Sequence, residues 1–209
     1  MKALVTGFDP FGGARVNASI EAVQQLPARI GSLDIVTAEL PTSYTRSLPA
    51  LKAAIAAARP AIVLCAGEAG DRAVLSVERV AVNLQDARIP DNDGAAPVDK
   101  PVVRGGPAAY FSTLPARRIV DALLAARLPA EISMSAGAFV CNHVFYGLMH
   151  MLAQPRFEGV RGGLVHVPFL PEQGQPSMRV DEIVAGLELG IEVALATEHD
   201  IRKEAGALN

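Results

Sequence analysis

The residues of this chain that could do chemistry are two cysteines, four histidines and a few carboxylates set in apolar surroundings. Cys141 closes the run SAGAFVCN at 135–142, which passes from a strand through small residues into a helix. A thiol at a helix N-terminus faces free N–H groups and the positive end of the helix dipole. That setting can lower a cysteine pKa from about 8.5 into the range of roughly 3.5–7.5. The same N–H groups could receive an oxyanion that develops beside the nucleophile. The alternative is a buried, inert thiol, and it is the preferred reading for Cys65, inside the unbroken apolar run 61–67.

A thiol nucleophile needs a base, normally histidine. His199 lies near the end of a helix between Glu198 and Asp200 and is expected to be solvated. His143 and His150 fall two turns apart on the helix after Cys141, without the acidic or cysteine partner that would complete a metal set. Packing or hydrogen bonding is expected of both. His166 stands at the end of the apolar run GGLVHVP, where a buried imidazole requires a partner. Strand ends of α/β sheets are also where active sites gather. His166 is therefore the best base, against the alternative of a neutral core histidine bonded to backbone.

The imidazole in turn needs a group to orient it. Glu78 sits in LSVERVAVN, where side chains alternate faces, so Arg79 points away from it. On the residues alone an ion pair of Glu78 with Arg72 or Arg88 is preferred, and His166 is the other partner available.

These residues must be positioned by alternating short apolar runs and helical stretches. Strands are expected at 3–6, 33–38, 61–67, 132–135 and 163–167, with an extended segment at 74–83. Helices are expected at 19–26, capped by Ser19, and at 47–58, 115–126, 142–152 and 179–198. This alternation implies α/β crossovers, a mainly parallel sheet and helices on both faces. Residues 86–107, rich in Pro, Gly, Asp and Asn, interrupt the rhythm, and a loop that long inside a compact domain reads as a binding loop.

Composition narrows the classes. Half of the 209 residues are apolar, 5% are aromatic and none is Trp, which suits one domain spanning 1–209 built on Ala, Val, Leu and Ile. The mean hydropathy of +0.27 fits buried sheet or surface hidden in an oligomer. A net charge of -3 gives no electrostatic reason to expect nucleic acid. No run reaches the ~18 apolar residues of a membrane span, and MKALVTGFDP lacks the features of a signal peptide, so a cytoplasmic protein with free thiols is expected.

Several segments together resemble one family. They are TGFDPFGG at 6–13 followed by Asn17 and Ser19, GEAGDRAVLSVERVAVN at 67–83, DARIPDN at 86–92, GPAAYFSTLP at 106–115, SMSAGAFVCN at 133–142 and HVPFLPEQ at 166–173. In order and spacing this is similar to the pyroglutamyl peptidase I (pyrrolidone-carboxylate peptidase) family, C15, of cysteine peptidases. The resemblance implies an α/β/α sandwich with a twisted mixed sheet like that of nucleoside phosphorylases, commonly assembled as a homotetramer, without metal or organic cofactor. It implies an omega peptidase that hydrolyses the N-terminal pyroglutamyl residue from peptides through a thioester. The family's catalytic glutamate, cysteine and histidine fall on Glu78, Cys141 and His166. Phe8, Phe11, Ile89, Phe139 and Val140 match positions that enclose the pyroglutamyl ring, and Arg88 one near the oxyanion site. Ala18, Glu68 and Asp71 depart from the family's usual Pro, Gln and Gly, and two of them add negative charge near the presumed site.

Two rivals from other classes are a nucleoside-phosphorylase-like enzyme and a redox sensor using Cys141. The first lacks a Gly-rich phosphate loop or an arginine cradle. The second does not account for a lactam pocket.

Overall fold

The computed structural model describes residues 1–202 and 204, so the end of the expected 1–209 span lies outside the described residues. The strands are β1 (Lys2–Phe8), β2 (Arg29–Ile30), β3 (Leu33–Leu40), β4 (Ile62–Glu68), β5 (Leu75–Glu78), β6 (Val80–Val82), β7 (Ala109–Phe111), β8 (Ala130–Ser133) and β9 (Arg161–Val167). The helices are α1 (Ala18–Gln24), α2 (Ser47–Ala58), α3 (Ala116–Ala125), α4 (Val140–Leu152) and α5 (Val180–Ala196). Seven strands form one sheet in the order β2-β3-β1-β4-β9-β5-β8, and β6 pairs with β7 in a separate ribbon. β3, β1, β4 and β9 run parallel, β5 runs against β9 and alongside β8, and β2 runs against β3. This is the expected mixed, mainly parallel sheet.

Alternation along each strand divides the core in two. Ala3 and Val5 of β1 and Ile62, Leu64 and Ala66 of β4 pack with α1, α3 and α5. Leu4 and Phe8 of β1 and Val63 and Cys65 of β4 pack on the opposite face with α2 and α4. Strands with both faces covered read as continuous apolar runs, as 61–67 does. Cys65 is fully buried in this packing, and burial pushes its thiol up to about 11.

Local differences from the sequence expectation have local causes. Asn17, not Ser19, caps α1 by accepting the Ser19 N–H at 3.0 Å. The Ser19 hydroxyl is occupied with Asn17 Oδ1 and the Phe8 N–H. The extended segment 74–83 divides at Arg79, because β5 belongs to the main sheet and β6 to the ribbon. β8 lies two residues earlier than expected, in register with β5, where Glu78 faces Ser133. Helix α4 begins at Val140, which places Cys141 inside its first turn.

Candidate active site

On β9, Leu164 faces the α4 side while Val165 and Val167 face away, and alternation turns His166 toward α4. On β5, Leu75 and Val77 face away, which turns Glu78 the same way. The antiparallel register sets Ser76 beside His166, so Glu78 lies within one pleat of it. The imidazole Nδ1 is 2.7 Å from Glu78 Oε1, and the same oxygen accepts from Arg72 Nη1 at 2.6 Å. Glu78 is 0% exposed and His166 4%. Burial by itself would raise the Glu78 carboxyl, but hydrogen bonding to His166, its charge and that of Arg72 outweigh burial and hold it below the usual range. An ionised acceptor at Nδ1 fixes the hydrogen there and leaves Nε2 free.

The free Nε2 and the thiol both border Gly67. A Cβ on Gly67 would lie 2.9 Å from Cys141 Sγ and 3.3 Å from His166 Nε2. Gly67 sits opposite His166 in the β4–β9 register. Its missing side chain is therefore the space in which the two groups approach each other. Cys141 is partly exposed, and the N–H groups of the first turn of α4 have no intrahelical acceptors.

The surroundings of the thiol work against ionisation. Burial first, then the carboxylates of Glu78 and Glu68, push Cys141 up to about 12, with Arg72 opposing. The helix N-terminus alone suggested the opposite direction. Desolvation and two nearby negative charges outweigh a dipole of about half a charge.

A cavity of about 480 Å³ opens over this cluster, within the usual range for small-molecule sites. Phe8, Phe11, Ile89, Phe139 and Arg88 line it together with Cys141 and His166. Phe11 and Phe139 lie with ring centroids 5.9 Å apart, and Tyr44 stands edge-on to Phe139 at 5.7 Å. Val140 does not line it. As the first residue of α4 it points about 100° away from Cys141, and it is fully buried in the core with Val144 and Leu148.

The loop 86–107 reaches the cavity with Asp86, Arg88 and Ile89. It is held by Asp91, 6% exposed, whose carboxylate accepts the N–H groups of Tyr44, Asp93 and Ala95 at 2.8, 3.0 and 2.7 Å. Asp9 Oδ1 accepts from Thr42 N and Asn92 Nδ2 and ties the same loop to the opening motif. Asn142, fully buried, clamps α4 to β6 by exchanging bonds with Val82 and donating to Leu84 O. The density of Asp and Asn in DARIPDN was the signal available for the loop. Gly67 and Asn142 carried no local signal of their roles.

Arg72, one of the alternatives for Glu78, bonds Glu78 together with His166, while Arg88 stays exposed at the cavity. Glu68 and Asp71 both line the cavity. Glu68 Oε2 accepts Ala18 N–H at 2.6 Å and Gln173 Nε2 at 2.7 Å. Two departures from the family pattern thus touch each other, and a proline at 18 would offer no N–H to this carboxylate. The other histidines stand apart. His143 is buried edge-on to Tyr44, His150 is 2.9 Å from the Tyr110 hydroxyl through Nδ1, and His199 is exposed. Among the described residues no group of three His, Cys, Asp or Glu could hold a metal ion, and no helix is long and apolar enough to cross a membrane.

An α/β sandwich that sets a thiol against the free nitrogen of a carboxylate-backed imidazole is built for acyl transfer, which places the chain among cysteine-type hydrolases. Comparison with known proteins narrows this. The pyroglutamyl peptidase (Peptidase C15) profile matches residues 1–197. Pyrrolidone-carboxylate peptidase 1 of Ralstonia nicotianae is 51% identical over 212 residues, covering 99% of this chain and 98% of that protein. Pyroglutamyl peptidase I from Bacillus amyloliquefaciens superposes with a TM-score of 0.94 at 44% identity, over 97% of this chain and 99% of the other. Pyrrolidone carboxyl peptidase from Thermococcus litoralis does so with 0.93 at 34% identity, over 97% and 99%. The chain belongs to the pyroglutamyl peptidase family, C15, of cysteine peptidases.

Proposed function

We propose that Cys141, His166 and Glu78 carry the pyroglutamyl peptidase activity of this chain, removing the N-terminal pyroglutamyl residue from peptides. The observation that supports this most directly is that Cys141 Sγ and His166 Nε2 both border the space left by Gly67, with Nδ1 engaged by Glu78. The proton of Cys141 passes to Nε2, or is held there beside a thiolate, as sulfur attacks the pyroglutamyl carbonyl carbon. The carbonyl π electrons move to oxygen, and the N–H groups of the first turn of α4 receive the oxyanion, with Arg88 at the cavity wall. As the tetrahedral centre collapses, the C–N bond breaks and imidazolium gives its proton to the leaving amine. Water, deprotonated by His166, then cleaves the thioester and returns the thiol. Glu78 stabilises the imidazolium in both halves.

The cavity suits the substrate. Pyroglutamate is a neutral lactam without a free α-amine, and Phe8, Phe11, Ile89 and Phe139 offer an apolar slot for its ring. A slot that grips one residue leaves the following residue weakly specified. We carry with this reading the single domain spanning 1–209, a cytoplasmic location and a homotetramer, the last testable by light scattering on the purified protein.

The test is release of a chromophoric amine from a pyroglutamyl substrate, with a prolyl analogue as control and iodoacetamide as inhibitor. Cleavage confined to the pyroglutamyl compound and abolished by alkylation is expected. Cys141→Ala and His166→Ala should each lose at least about a thousandfold in kcat/KM with the fold intact. Undiminished turnover in either folded variant would exclude the assignment.

A further inference from the structure

Arg72 lies outside the three residues assigned to the reaction, yet it touches Glu78 and the segment that leads into Cys141. Its Nη1 donates to Glu78 Oε1 at 2.6 Å and its Nη2 to the carbonyl of Ser135 at 2.9 Å. Ser135 begins the segment of small residues that leads into Cys141. The turn that carries Arg72 is itself fastened to the end of β9, because Ala69 N donates to Val167 O at 2.9 Å and Arg72 N to Ala69 O at 3.1 Å. Phe169, three residues beyond His166, lies against Gly70 so closely that a Cβ there would fall 2.0 Å from its ring. One guanidinium, carried on a turn fastened to the strand that bears His166, thus joins Glu78 to the approach to Cys141.

Charge demands the same connection. Glu78 is fully buried, and a buried carboxylate without a countercharge is strongly disfavoured. His166 supplies that countercharge only when it is protonated, whereas a guanidinium supplies it throughout the reaction. The titratable and charged groups facing Glu78 are His166 from β9, Arg72 from the turn after β4 and Cys141 from α4. Ser133 adds a hydroxyl from β8, and Glu68 bears on Cys141 from β4. Arg79 is turned away, bonded to Ser112 O and lying over the Phe111 ring. Among the described residues Arg72 is the permanent cation in contact with Glu78, and its side chain is 22% exposed at the cavity.

We infer that Arg72 is a positioning residue for the reaction, its planar fork holding Glu78 ready for His166 and tying that carboxylate to the segment that delivers Cys141. The inference rests on the catalytic reading of Cys141, His166 and Glu78 above. It separates two functions of the side chain. The positive charge keeps Glu78 ionised whichever protonation state His166 passes through. The two-pronged geometry, which lysine cannot reproduce, couples Glu78 to Ser135.

The experiment measures pH profiles of kcat/KM, and kcat at the plateau, for Arg72→Gln and Arg72→Lys alongside Cys141→Ala and His166→Ala. In Arg72→Gln the charge balancing Glu78 has to come from a bound proton, so the acid limb is expected to move to higher pH by about one pH unit. The plateau should fall by about tenfold or more. In Arg72→Lys the acid limb is expected to stay in place while kcat falls, with KM little changed. A purely structural role would lower activity in both variants and leave the acid limb of Arg72→Gln where it is, which would overturn the inference. Should Arg72→Gln fail to fold, Arg72→Lys decides: wild-type kcat, or a fall in kcat accompanied by a rise in KM, overturns the fork, and a reduced kcat at unchanged KM supports it. Active Cys141→Ala or His166→Ala would sink the underlying reading, whereas inactive ones beside a wild-type Arg72→Gln profile would sink this inference alone.

Discussion

At the scale of single residues, the proposed site depends as much on an absence as on the groups proposed to react. Sγ of Cys141 and Nε2 of His166 converge on the position that a Gly67 side chain would occupy. Gly67→Ala adds one methyl where contacts of 2.9 and 3.3 Å leave no room, so thiol and imidazole must part. A displacement on the order of 1 Å in a reacting group costs about a hundredfold in rate. Gly67→Ala is therefore expected to lose roughly that factor in kcat while still binding a pyroglutamyl inhibitor, a split that steady-state kinetics with a competitive inhibitor would reveal. Wild-type kcat would show that the two groups meet elsewhere. Glu68 belongs to this scale too. Its carboxyl, raised by burial against the opposing bonds from Ala18 and Gln173, adds to the burden that works against ionisation of Cys141.

At the scale of elements, two features present the site. Helix α4 brings Cys141 to the sheet, and the loop 86–107 brings Asp86, Arg88 and Ile89 to the cavity. The loop contains no helix, so its shape depends on a few polar anchors, chief among them Asp91. Asp91→Ala leaves three N–H groups without their acceptor, each costing about 1–3 kcal/mol where it stays buried and unpaired. The loop then loosens at the cavity without disturbing Cys141 or His166. KM for a pyroglutamyl substrate is expected to rise about tenfold, equivalent to about 1.4 kcal/mol of binding, with kcat within a small factor of wild type. A fall in kcat at constant KM would show that the loop serves the chemistry rather than binding.

At the scale of the whole molecule, a buried histidine outside the reaction shapes acid stability. His143 is 5% exposed, and burial pushes its imidazole down to about 4, the Tyr44 backbone offsetting only part of this. In an unfolded chain the same group titrates near 6.5. Between these values the unfolded state binds more protons than the folded one, so stability falls as pH falls, by about 3 kcal/mol across the window. Glu68, raised in the folded state, and Glu78, lowered in it, act with opposite signs. Comparing wild type with His143→Gln at each pH isolates the histidine. Denaturant unfolding between pH 7 and 4 should show a shallower loss of stability in the variant, and parallel curves would exclude His143 as the cause.

Much of this was legible in the sequence for one physical reason: apolar periodicity and turn chemistry are local. The run 61–67 reads as a strand covered on both faces, 47–58 as a helix ended before Pro60, and Glu78, Cys141 and His166 each stand out as polar groups in apolar company. What no local pattern held was which groups would meet. Residues 78, 141 and 166 are brought together by an antiparallel β5–β9 pairing and by the placement of α4 on one face of the sheet. Only that packing decided that Glu78 answers both Arg72 and His166, that Val140 faces the core while Cys141 faces the cavity, and that Gly67 leaves the space between thiol and imidazole. It also set the direction in which the Cys141 thiol is shifted. The helix N-terminus is local and argues for a thiolate, but burial and the fields of Glu78 and Glu68 arise only once distant segments share one low-dielectric interior.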